Sequence, residues 1–267
     1  MKLKNNPRYS NGKARKLLGI LLLLLSSAYC EQPLSLNQKL QTRNRKYPTA
    51  NYSKVLQISP HRTGSTLVYN ILRYLFEDGR SLSTSGFNNK DHKVIKSHLT
   101  YHFNFDREIY FVTVRNPIES FYSWCKVHDI GETDKKFTSH IKEDIGCWKE
   151  IDSLLEKKKK VIVLRYEEFT KDMNVIFNAI EDAFCINIDQ KDKEFLQENL
   201  SKKNVLAFSK NLASFAKEDL STNIHGKHIQ EESEISPSLQ MEIEKKLLPH
   251  QLMFSRWGYD IKKLSEK

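Results

Sequence analysis

Along residues 53–267 the apolar positions alternate between two spacings. Residues 55–58, 109–114 and 161–164 are short, nearly unbroken apolar runs, and residues 94–99 begin as one. That length and β-branched content predict strands buried on both faces. Between them the spacing changes to three and four. Leu67, Ile71, Leu72, Leu75 and Phe76 predict a helix directly after the first strand, and residues 118–124 another after the third. Val175, Ile176, Ala179, Ile180, Ala183 and Phe184 predict a core-facing helix, continued by one or two more through Phe195, Leu196, Leu200, Val205, Leu206, Phe208 and Leu212. Ser236-Pro237 opens a terminal helix carrying Leu239, Ile243, Leu247 and Leu248. Strands alternating with helices predict an α/β fold, with a mostly parallel central sheet flanked by helices in a single domain.

The strand ends carry the chemistry. After residues 55–58 comes Pro60-His61-Arg62-Thr63-Gly64-Ser65-Thr66, a tight turn with one glycine that opens a helix. The unpaired N–H groups and partial positive charge of a helix N-terminus favour an anion. Arg62 adds a full charge, and Ser65 and Thr66 add hydroxyl donors. The triphosphatase loop needs a second glycine and a following lysine, and neither is present. The loop therefore suits a phosphate without the usual magnesium machinery. The third strand stops at Arg115-Asn116-Pro117, where Asn-Pro breaks the strand and Pro117 can begin a helix that places Ser123 eight residues after Arg115. Ligands of parallel α/β sheets gather at the carboxyl ends of strands. Two arginines at two such ends predict a shared dianionic ligand. Residues 94–99 place Lys96 and His98 on one side of an extended chain, a pairing that suits general-base work on a hydroxyl.

These stretches together resemble the sulfotransferase family, which uses 3′-phosphoadenosine 5′-phosphosulfate (PAPS) as donor. Arg62-Thr63-Gly64-Ser65-Thr66 looks like its 5′-phosphosulfate loop, and Arg115 with Ser123 looks like its 3′-phosphate motif. Lys96-Ser97-His98-Leu99 resembles the segment bearing its catalytic base. Val161-Ile162-Val163-Leu164-Arg165-Tyr166-Glu167-Glu168-Phe169 resembles the strand whose tyrosine lies near the adenine. The resemblance implies a P-loop-like fold and sulfuryl transfer from PAPS to a hydroxyl or amine of a carbohydrate or small-molecule acceptor. It implies donor contacts from Arg62, Thr63, Gly64, Ser65, Thr66, Arg115, Ser123 and Tyr166, with catalysis by His98, Lys96 and Arg62. A sulfuryl group carries less charge than a γ-phosphate, so no metal is expected. Four departures stand out. His61 is inserted between Pro60 and Arg62, Leu67 replaces a tryptophan that covers the adenine, and Thr100 replaces a proline. The late phosphate clamp has its nearest counterpart in Ile224-His225-Gly226-Lys227-His228, where Lys227 is the candidate ligand. Two other functions remain open at this stage: a small P-loop kinase, and a catalytically silent nucleotide- or glycan-binding member.

Charge alters the picture at one end only. The net charge is +10, but residues 1–16 hold six basic groups and no acid, and residues 17–50 add four against Glu31. Residues 51–267 are left near +1, with no aromatic-studded basic stripe, which argues against nucleic acid. The basic stretch precedes an apolar run at residues 17–25 and then Ser26-Ser27-Ala28-Tyr29-Cys30. That is the pattern of a signal peptide or a short signal-anchor over residues 1–30, followed by a polar linker at 31–52. Membrane contact is expected through this segment alone. The expected location is the secretory pathway, lumenal in the Golgi of a eukaryote, with a cytoplasmic protein as the alternative. Cys125, Cys147 and Cys185 show no paired or metal-binding spacing. The triplets at Asn51 and Asn199 would accept glycans only in a secretory protein.

Overall fold

The computed structural model describes residues 38–40, 47–49, 51–77, 86–99, 105, 107–131, 133–157, 159–210, 212, 222–224 and 235–264. All of them belong to one compact unit, Leu36–Lys267. The leader at 1–30, Thr100 and Lys227 lie outside the described residues.

Four strands, β1 Lys54–Ile58, β2 Val94–Ser97, β3 Glu108–Val114 and β4 Val161–Arg165, form one sheet in the order β2-β1-β3-β4. Every pairing is parallel, with Gln57 opposite both Lys96 and Phe111, and Val114 opposite Arg165. The chain leaves β1 toward β2 on one side and later adds β3 on the other. The β1/β3 boundary is therefore the point where strand order reverses, the place where open α/β sheets bind ligands.

Alternation of side chains divides each inner strand between two cores. Leu56, Ile58, Ile95, Tyr110, Val112 and Val114 pack on α2 (Pro117–His128), α3 (Lys135–Glu156) and the C-terminal helices α8 (Pro237–Leu247), α9 (Gln251–Arg256) and α10 (Ile261–Leu264). Val55, Val94, Ile109 and Phe111 pack on α1 (Ser65–Phe76), α5 (Asn174–Phe184), α6 (Gln190–Asn199) and α7 (Lys202–Ser209). A single-turn helix, α4 (Tyr166–Phe169), follows β4 directly. Burying each large apolar side chain contributes about 1.5–3 kcal/mol, so inner strands that are apolar on both faces hold both layers at once.

The helix starts follow the sequence signals. Asn116 accepts from the Ile118 and Glu119 amides with Pro117 in the first turn of α2, and Ser236 accepts from Leu239 N ahead of Pro237. Asp134, Asp189 and Ser201 cap α3, α6 and α7 in the same way. Lys159 Nζ lies 2.5 Å from Glu108 Oε1 and anchors the first residue of β3. Of the two Asn-x-Ser triplets, Asn51 is exposed. Asn199 is buried, with its Nδ2 donating to Phe195 O at 2.8 Å.

Candidate active site

The turn between β1 and α1 is built from the inside. Thr113 of β3 donates its amide to Ser59 Oγ at 2.9 Å, and its hydroxyl meets both Ser59 Oγ (2.7 Å) and Thr63 Oγ1 (2.8 Å). Thr63 Oγ1 also donates to Pro60 O at 3.0 Å. Thr63, expected among the donor ligands, thus has a fully buried side chain that shapes the loop. Its hydroxyl is committed inward.

Gly64 caps α1 with φ +81°, and a Cβ there would stand 2.6 Å from Phe169 Cζ and 3.0 Å from Tyr166 Cδ2. Only glycine accepts that conformation beside those rings without strain. The contact docks the turn of α4 against the loop, which is how Tyr166 reaches the site from the far side of the sheet. Arg62 is itself left-handed, φ +58°, an uncommon state for a residue with a Cβ. Its Nε donates to Ser123 Oγ at 3.2 Å, and its carbonyl accepts from Arg115 Nη1 at 3.5 Å.

Arg62, Arg115, Ser123 and Tyr166 therefore come together. The Arg115 guanidinium lies 4.4 Å over the Tyr166 ring and pairs with Glu119 at 3.1 Å, while its buried Nε has no hydrogen-bond partner among the described residues. Burial first, and then the nearby Arg115 charge, lower the Arg62 pKa to about 10. Two cations this close oppose each other, and an anion between them would relieve both. Beside them, α1 begins without a side-chain cap and without an acid in its first turn, so the helix dipole adds to the same positive field. Ser65 and Thr66 are buried in that first turn.

Lys96 and His98 reach the site by different routes. Lys96, buried on β2, donates to Thr66 Oγ1 at 2.6 Å and lies 5.9 Å from the Tyr69 ring centroid, on the α1 side. β2 stops at Ser97, so strand alternation no longer sets the direction of His98. Its Nδ1–H donates to Ser59 O at 2.7 Å, which fixes the tautomer and leaves Nε2 as the basic nitrogen. Burial, reinforced by His61 and Lys96, holds its pKa well below the ordinary histidine value. His98 is therefore neutral at physiological pH. It borders a cavity of about 270 Å³ also lined by His61, Phe87, Leu99, Glu143 and Cys147. A larger hollow of about 570 Å³, near Tyr47, Ile188 and Lys193, contains none of these groups.

Three supports escaped the sequence. Glu167 accepts the Asn116 amide at 2.7 Å and the Tyr259 hydroxyl at 3.1 Å, tying the C-terminal segment to the start of α2. Glu119, in the first turn of α2, holds Arg115 just ahead of the helix. Asp144 sits under the loop and accepts the His61 amide at 3.1 Å. A carboxylate within the apolar stripe Phe137, Ile141, Ile145 and Trp148 was the available signal for Asp144.

No family model matches the sequence, and no curated protein sequence matches it. Solved structures do. Mouse sulfotransferase SULT7A1 complexed with PAP is 14% identical, with 87% of this chain and 93% of that chain covered at a TM-score of 0.49. Retinol dehydratase in complex with androsterone and inactive cofactor PAP is 12% identical, with 80% and 83% covered at a TM-score of 0.50. The chain shares the fold of the second of these: a parallel sheet between helices, with a P-loop-like strand-loop-helix at its centre.

Proposed function

We propose that the chain is a sulfotransferase that takes its sulfuryl group from PAPS. The observation that carries this is the convergence of Arg62 and Arg115, from two adjacent strand ends, on an uncapped helix N-terminus. That arrangement suits two phosphates on one nucleoside. The buried Nε of Arg115, without a partner among the described residues, fits a group with further acceptor oxygens.

PAPS supplies an activated sulfuryl group and a stable bisphosphate leaving group. Arg62, Ser65, Thr66 and the first amides of α1 hold the 5′-phosphate. Arg115 holds the 3′-phosphate, with Ser123 fixing the neighbouring Arg62, and Tyr166 provides an aromatic surface on the adenine side. His98 Nε2 takes the acceptor's proton as its oxygen forms the new bond to sulfur. The old sulfur–oxygen bond breaks toward the 5′-phosphate, where Lys96 and Arg62 neutralise the developing charge. Positioning and charge stabilisation supply the rate, as in phosphoryl transfer. The cavity beside His98 receives the acceptor hydroxyl of a carbohydrate or small molecule.

Calorimetry on the full-length protein without magnesium tests the donor site. 3′,5′-bisphosphoadenosine (PAP) binds more tightly than AMP if the 3′-phosphate is recognised. Equal affinities overturn the donor assignment.

The same proposal places the enzyme in a lumen. Basic residues ahead of the apolar run stay on the cytoplasmic side and send the following domain across the membrane, where imported PAPS would meet it. A reporter fused to the full chain is expected to survive protease added to intact eukaryotic vesicles. Digestion from the cytosolic side would make the protein cytoplasmic.

A further inference from the structure

His61 has no counterpart in the phosphate loop that this chain resembles, yet it is the centre of an aromatic stack. One face of its ring lies on His98, centroids 4.1 Å apart and planes 28° apart. The other lies on Trp124 at 3.9 Å and 13°. Asp144 Oδ1 holds the edge, 3.3 Å from Nδ1, while also accepting the backbone amide. Ser120 Oγ donates to the His61 carbonyl at 2.5 Å. Phe121, His128 and His140 pack around Trp124 and keep the far plate of the stack in place. Asp144 is 1% exposed on the apolar stripe of α3, where an acid is unfavourable unless its oxygens are occupied. Burial lifts its pKa to about 7.

We propose that His61, anchored by Asp144 and backed by Trp124, is a positioning residue for His98: it fixes the His98 ring plane and shields it, so that Nδ1 stays on Ser59 and a neutral Nε2 is presented to the cavity. This rests on the sulfotransferase reading for the task of His98, but the stack itself can be tested without turnover. The groups that bear on the His98 charge come from several elements. Lys96 faces it from β2 and His61 from the loop. Asp144, Glu143, Cys147 and His140 stand behind or beside His61 on α3, with His128 on α2. Removing His61 deletes one neighbour that opposes protonation of His98 and admits water to the exposed face.

The test follows the His98 ring resonances by NMR against pH in the full-length protein. Wild type is expected to hold the Nδ1–H tautomer with no titration near the ordinary value of about 6.5. His61→Ala is expected to mix tautomers and move the titration of His98 up toward that value. His61→Phe, which keeps a ring in the stack but loses the Asp144 anchor, should fall between wild type and His61→Ala. With PAPS and an acceptor, His61→Ala lowers kcat about 10–100-fold, as small misplacements of a reacting group do, with KM for PAPS nearly unchanged and the acid limb of kcat moved to higher pH. If His61→Ala does not fold, Asp144→Asn, which keeps the ring and loosens its anchor, should show the tautomer mixing. Unchanged His98 tautomer and titration in His61→Ala, or in Asp144→Asn where His61→Ala does not fold, overturn the inference. Wild type that binds no PAP would sink the sulfotransferase reading and leave the NMR result to judge the stack alone.

Discussion

His98→Ala lowers kcat by roughly 10²–10⁴-fold, the range for loss of a positioned general base, while PAP affinity stays close to wild type. The two effects separate because the contacts of His98 run to Ser59, His61 and Phe87, none of them assigned to the donor, while Lys96 bears on it through its charge. The Nδ1–H bond to a backbone carbonyl makes Nε2 the proton acceptor in advance of substrate. The sign of the pH dependence follows from the depressed pKa. The neutral, basic form persists below pH 6.5, and activity falls only as pH drops through the lowered value. The acid limb of kcat is therefore expected at lower pH than an ordinary histidine would give, and stopped-time assays with labelled PAPS across pH 5–8 would show it. An active His98→Ala enzyme would move the role to His61, which borders the same cavity, or to His102, outside the described residues.

The parts legible in the sequence were those with local causes. The inner strands are buried on both faces, so their apolar runs were nearly continuous. Asn116-Pro117 signalled both the end of β3 and the start of α2 because capping and the fixed proline φ act within a few residues. Gly64 marked the turn, since its positive φ is a local demand. What the sequence hid depends on long-range closure. The reason no larger residue fits at Gly64 is Phe169, over a hundred positions later. Glu167 supports Asn116 and Tyr259 only once β4 lies beside β3. Side-chain alternation placed Lys96 and His98 together, but β2 ends between them. Lys96 turns to α1, and His98 turns to the loop. His61 looked like an insertion without a purpose until the fold brought Trp124 and Asp144 to its face and edge.

Arg115→Ala is expected to weaken PAP binding by about 10–150-fold, the equivalent of ~1.5–3 kcal/mol for losing a hydrogen bond to a charged partner, and to leave AMP binding nearly unchanged. The two ligands then bind alike. Arg115 has a competing role, because it pairs with Glu119, whose side chain is half exposed. If that pair were its whole contribution, removal would cost at most about 1 kcal/mol, as exposed ion pairs do, and would affect both ligands equally. Three observations favour a ligand role: the guanidinium lies over Tyr166, its Nη1 reaches the carbonyl of Arg62, and its buried Nε has no partner among the described residues. Arg115→Lys sharpens the distinction. An ammonium keeps the charge but loses the planar fork that matches phosphate oxygens, so its preference for PAP over AMP should fall between wild type and alanine. Calorimetry of the three proteins with both nucleotides decides the matter. Equal losses for PAP and AMP in Arg115→Ala would return the residue to a structural pair at the end of β3.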